Sequence, residues 1–130
     1  MSIEDIEEIR QLTASYNRAF DEDRAEDWAN HFIEDGFFER SNAGRSYRGR
    51  AQIQELCASF DYPVHGRHVT TDHMITVDGE TAVQTCYLMF LNRDQAHVVN
   101  LFAVYYDELV KVEGKWFFKS RLCQVDEGTS

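Results

Sequence analysis

The chain has 130 residues, 43% of them hydrophobic and 13% aromatic, which suits one domain over residues 1–130 that withdraws about two-thirds of its unfolded surface from water. Its 13 Lys and Arg stand against 23 Asp and Glu, a formal charge of −10, and this argues against nucleic acid or an anionic membrane as partner. The opening MSIEDIEEIR lacks the basic start and apolar run of a secretory leader, and no stretch reaches membrane-spanning length, so a cytoplasmic protein is expected, with Cys57, Cys86 and Cys123 as reduced core thiols.

Ser2 and Asp5 have the spacing of a capping box, and Ile6, Ile9, Leu12, Tyr16 and Phe20 recur at helical spacing, which predicts a first helix from about residue 3 to 20. In DEDRAEDWANHF the acidic front and the spacing of Ala25, Trp28, Ala29 and Phe32 predict a second helix, stopped near Asp35-Gly36. GFFERS and SYRGR flank the turn residues Asn42-Ala43-Gly44 and predict a hairpin. GRAQIQELCASF places Ile53, Leu56, Cys57 and Phe60 on one face of a third helix, and Pro63 marks the passage from helix to sheet. The strands HVTTDHMITV, TAVQTCYLMFLN, AHVVNLFAVYYDELVKV and KWFFKSRLC follow, with turns at Asp78-Gly79 and Glu113-Gly114, while DEGTS reads as a frayed end. Helices first and antiparallel strands afterwards is an α+β order. Such a sheet, strongly curved around three N-terminal helices, forms a roll whose hollow is lined by aromatic and apolar side chains, the make-up of a small-molecule pocket.

Three of the five histidines lie in HGRHVTTDH. Strand alternation places His68, Thr70 and Asp72 on one face and His65 and His73 on the other. One strand cannot aim these imidazoles at a single point, so no metal site is expected. Nor does the sequence show a phosphate-cradling glycine loop or a nucleophile paired with a base, and no cofactor is expected. His31 belongs to the short second helix beside Phe32, at the pocket mouth, and His97 to a solvated turn. Arg67 should pair with a surface acid. One of Tyr105 and Tyr106 should face the hollow and the other the opposite side.

The segments YNRAFDEDRAEDWANHFIEDGFFE, YRGRAQIQEL, GRHVTTDHMITVDGETA and YYDELVKVEGKWFF together resemble the SnoaL-like branch of the nuclear-transport-factor-2-like superfamily. The resemblance spans nearly the whole chain and implies the α+β roll. An acid after the first helix and RH at the start of a long strand are similar to scytalone dehydratase and hexachlorocyclohexane dehydrochlorinase, which remove a proton and expel a leaving group with a His/Asp pair. The resemblance places Asp21 and His68 as that catalytic pair, 47 residues apart in sequence. Where scytalone dehydratase carries two tyrosines and a second histidine, this chain has Phe20, a residue near Phe38, and Asn92. Tyr16 aligns with the pocket tyrosine of ketosteroid isomerase, and Glu39 would be the base in that chemistry.

The expectation is a small cofactor-independent lyase or isomerase, of dehydratase or dehydrohalogenase type, acting on a hydrophobic cyclic molecule. His68 would abstract the proton, because an imidazole accepts one near neutrality. Asp21 would orient and stabilise it. Tyr16 or Asn92 would hold a substrate oxygen, within a wall that includes Phe20, Phe38, Trp28 and Leu88. The alternative is a binding or scaffold module, since RHVTTDHMITVDGETA and KWFFKSRLCQVD also resemble β subunits of aromatic-ring-hydroxylating dioxygenases. An antiparallel sheet with apolar residues on both faces must cover its second face, and a homodimer or homotrimer is expected.

Overall fold

The computed structural model describes residues 2–41, 44–58, 66–95 and 98–126. The first helix, α1, spans Ile3–Asp21, and Ser2 caps it by accepting hydrogen bonds from the amides of Glu4 and Asp5. Only half of the capping box forms. The Asp5 carboxylate turns instead to the indole N–H of Trp116 at 2.9 Å and the Lys111 ammonium at 3.1 Å, tying the helix start to the end of the sheet.

Helix α2 covers only Ala25–Ala29, and the strand β1, Phe32–Arg40, begins where the second helix was expected to continue. Gly36 is therefore a strand residue, not a helix stop. Between Phe32 and Phe37 the register of β1 against its neighbour slips, and a Cβ on Gly36 would come within 2.7 Å of Phe32 Cβ. Glycine lets the chain bulge there. The expected hairpin forms: β1 pairs antiparallel with β2, Arg45–Arg48, although its turn residues Asn42 and Ala43 lie outside the described residues. Helix α3, Arg50–Ala58, buries Ile53 and Cys57, while Phe60 and Pro63 fall outside the described residues.

Four long strands complete the sheet: β3 Gly66–Asp78, β4 Thr81–Asn92, β5 Val99–Val112 and β6 Lys115–Val125. The order is β2-β1-β6-β5-β4-β3, antiparallel throughout except that β1 runs parallel to β6. The result is a curved α+β sheet with the helices packed on one face.

That inner face meets α1 and α2 through Tyr16, Trp28, Phe32, Phe38 and Phe118, which contact one another mostly edge to face with ring centroids 5.2 to 6.4 Å apart. Fully burying a side chain such as Phe32 or Phe118 stabilises the fold by roughly 1.5–3 kcal/mol. Cys57, Cys86 and Cys123 are free and buried, and burial raises each thiol to a pKa of about 11. Tyr105 is buried and Tyr106 exposed, as alternation requires.

Alternation fails in β3. The register against β4 shifts between Thr71 and Met74, with Asp72 at φ 56°, so this strand carries a β-bulge. Its consequence reverses two expectations. Asp72 is exposed instead of sharing the face of His68 and Thr70, and His73 turns inward to bond Gln84 at 2.9 Å. His65 and His97 lie outside the described residues. Glu39 is exposed, on the opposite side of β1 from the buried Phe38, which removes it as a pocket base.

Candidate active site

Asp21 is the last residue of α1 and His68 the third of β3. The carboxylate Oδ1 lies 2.6 Å from His68 Nδ1, and the backbone N–H of His68 donates to the same group at 3.0 Å (Oδ2) and 3.2 Å (Oδ1). The backbone bonds have a topological cause. β3 is an edge strand of the sheet, so the His68 amide that faces away from β4 has no ladder partner, and Asp21 supplies one.

An ionised carboxylate only accepts, so Nδ1 carries the hydrogen and a neutral ring presents its lone pair at Nε2. No described residue hydrogen-bonds Nε2. The ring stands between Phe20 and Phe90, each 4.9 Å away between centroids. With side-chain exposures of 13% for His68 and 6% for Asp21, the pair is shielded but not sealed.

The pair is one rung of a polar seam. Thr13, Asn17 and Asp21 recur every fourth residue on α1 and so share a face of the helix. Thr13 Oγ1 accepts from Gln84 Nε2 at 3.1 Å, Asn17 Nδ2 donates to Thr70 Oγ1 at 3.1 Å, and Asp21 takes His68. Beside the seam, α1 and β3 flank an open cleft of about 690 Å³, lined by Asn17, Asp21, His68 and Thr70 and by the charged Arg10, Arg18 and Arg67. Asn17 is buried there, and its Oδ1 has no hydrogen-bond partner among the described residues.

Deeper in the sheet, Gln84 accepts from His73 Nδ1 and donates to Asp107 Oδ2 at 2.9 Å. Asp107 in turn receives Arg121 Nε at 2.8 Å and Nη2 at 3.2 Å. The guanidinium lies 3.5 Å from the ring centroid of Tyr105, 4.4 Å from Phe118 and 4.5 Å from Tyr16. Burial pushes the Asp107 carboxyl upward, while Arg121 pulls it the other way. Arg121 Nη1 is buried without a hydrogen-bond partner among the described residues. Sequence reading did not single out this row, although the four-residue spacing of Thr13, Asn17 and Asp21 was visible in the chain.

The remaining expected residues are placed as follows. Tyr16, Trp28, Phe38 and Leu88 are buried in the core, and burial raises the Tyr16 phenol well above its ordinary range. Asn92 spends its Oδ1 on the amides of Asp94 and Gln95, at 2.8 and 3.1 Å, holding the turn after β4. Arg67 is exposed and donates to the Gly66 carbonyl at 3.3 Å, with no carboxylate partner among the described residues. Among the described residues, no group of three His, Cys, Asp or Glu side chains could hold a metal ion, and no helix is long and apolar enough to cross a membrane.

The chain is thus an α+β roll in which a carboxylate from the first helix meets an imidazole from an edge strand. Residues 1–122 match the model of the SnoaL-like domain, and the chain belongs to that family. Rv3472 of Mycobacterium tuberculosis, a protein of unknown function, is 31% identical with a TM-score of 0.86, covering 94% of this chain and 72% of its own. Two proteins of Novosphingobium aromaticivorans share the fold alone. One, bearing the scytalone dehydratase name, is 19% identical with a TM-score of 0.81 over 94% of this chain and 84% of its own. The other, named as the β subunit of an aromatic-ring-hydroxylating dioxygenase, is 18% identical with a TM-score of 0.77 over 96% and 92%. No curated protein matches the chain.

Proposed function

We propose that the protein is a lyase or isomerase in which His68 removes a proton from carbon in a hydrophobic cyclic substrate. The observation that carries this reading is the 2.6 Å contact between Asp21 Oδ1 and His68 Nδ1, which leaves Nε2 as the proton acceptor. Phe20 and Phe90 fix the ring plane and favour an apolar substrate. As the proton moves to Nε2, the ring becomes an imidazolium, and the Asp21 charge stabilises it. Departure of a leaving group from the neighbouring carbon completes an elimination, and return of the proton elsewhere completes an isomerisation. A positioned base of this kind contributes roughly 10² to 10⁴ in rate. Neither route needs a cofactor.

The test need not await the leaving group. Cyclic ketones and hydroxyketones incubated in D2O should take up deuterium next to the carbonyl with the parent protein, and lose that uptake with His68→Gln and with Asp21→Asn. Uptake unchanged in both variants would sink the proposal.

A second reading, a binding or scaffold module, is favoured by the outer face of the sheet. Met74, Tyr87, Phe102 and Tyr106 are exposed there at 71%, 55%, 43% and 49%. A homo-oligomer through this face is compatible with either reading. Under the scaffold reading, Tyr87→Glu with Phe102→Glu would change assembly in light scattering, and His68→Gln would change nothing that can be measured.

A further inference from the structure

We propose that Ser15 and His31 form a second reactive site, on the other flank of α1 from Asp21, at which Ser15 takes up the acyl group of an activated carboxylic ester. The sequence alone showed no nucleophile paired with a base, but the fold pairs one. Ser15 Oγ lies 2.8 Å from His31 Nε2. His31 follows the C-terminal end of α2, where helix carbonyls lack intrahelical partners. Its Nδ1 lies 2.6 Å from the Asp27 carbonyl oxygen and 3.2 Å from that of Trp28. Carbonyls only accept, so Nδ1 carries the hydrogen, Nε2 of the neutral ring is an acceptor, and Ser15 is the donor. A hydroxyl donating to an imidazole whose far nitrogen is held is the arrangement that activates a serine.

Two further features support the chemistry. Burial lowers the His31 pKa and outweighs the Asp27 and Trp28 carbonyls, whose hydrogen bonds raise it, so the ring is neutral and able to accept a proton at neutral pH. The Tyr16 ring meets it edge-on, with centroids 6.1 Å apart, and fixes its plane. A cleft of about 680 Å³ opens beside the pair, lined among others by Gln11, Leu12, Lys115 and Phe117. Leu12 and Phe117 suit a short acyl chain, and the Lys115 ammonium suits the negative oxygen that forms when a carbonyl is attacked.

The step balances without a co-reactant. Ser15 Oγ bonds to the ester carbonyl carbon as its proton passes to His31 Nε2. The bond to the leaving oxygen then breaks, and that oxygen takes the proton from His31. The products are an acyl ester on Ser15 and a free alcohol. Water attacking that ester, with His31 again as base, returns Ser15 and releases the carboxylic acid. A backbone carbonyl carries no full charge, so it stabilises an imidazolium less than a carboxylate does. The site is therefore limited to esters with good leaving groups, such as aryl esters of short acids.

The probe is p-nitrophenyl acetate with the full chain. A burst of nitrophenolate and an acetyl group on the Ser15 peptide by mass spectrometry are expected. Ser15→Ala should lower the release rate by about a hundredfold and abolish that acetylation. His31→Gln should do the same, and Ser46→Ala, at an exposed serine of β2, should change neither. Ser15 is exposed, so the alanine variant should melt with the parent. Release that persists in Ser15→Ala, or acetylation confined to lysines, would overturn the proposal.

Discussion

Arg121 and Asp107 face each other directly across β5 and β6, and neither side chain reaches water. Removing one partner leaves an uncompensated charge in the core, which costs about 3–5 kcal/mol. Asp107→Leu and Arg121→Met should each lower stability by that order in urea denaturation. The double variant should recover most of the loss, because no charge then stays buried. Single variants within about 1 kcal/mol of the parent would show that water reaches the pair.

Asp21 satisfies two donors of one residue, the His68 ring and the His68 amide. Asp21→Ala orphans both and should cost about 2 kcal/mol. Asp21→Asn keeps an acceptor for the amide and should cost less than half of that. Activity should not follow the same order: both variants should lose deuterium exchange, since neither holds the imidazolium with a charge. Chemical denaturation and exchange measured on the same samples separate the two effects.

At Asp72, φ is 56°, a left-handed conformation that a β-branched side chain resists. Asp72→Val should cost roughly 1–2 kcal/mol. Asp72→Gly should melt at or above the parent. A valine variant as stable as the parent would mean that the bulge had moved, and with it the bond from His73 to Gln84.

Acid should act through Asp5. The hydrogen bond from Trp116, then that from Lys111, hold its carboxyl below the ordinary carboxylate range. A depressed acid contributes stability above its unfolded pKa and loses it as pH falls through the lower folded value. Asp5→Asn should therefore be less stable than the parent at neutrality, with a gap that closes in strong acid. Melting curves followed by tryptophan fluorescence across that range provide the measurement.

The sequence made the helical and strand elements legible to different depths. Helix α1 was readable to within a residue, because its apolar spacing is long and Ser2 marks its start. The turns at Asp78-Gly79 and Glu113-Gly114 were readable from glycine, and both glycines have positive φ. The second helix was overextended because Phe32 fits a helical spacing as well as the first position of a strand. The bulge at Asp72 was illegible since period-two alternation assumes an unbroken ladder, and so His73 was set on the wrong face. Asp21 and His68 were found through resemblance, not through spacing. The Asp107–Arg121 and Ser15–His31 contacts needed the tertiary register, which no local pattern encodes.

The parallel pairing of β1 with β6 also bears on how the chain is made. On the ribosome the first hairpin, β1 with β2, must wait with one edge bare while three further strands are synthesised, and only β6 can cover it. A wait of that kind invites association between nascent chains. Closure of the sheet is thus expected to come late in synthesis, and slow translation through the segment that encodes β6 would prolong the vulnerable interval.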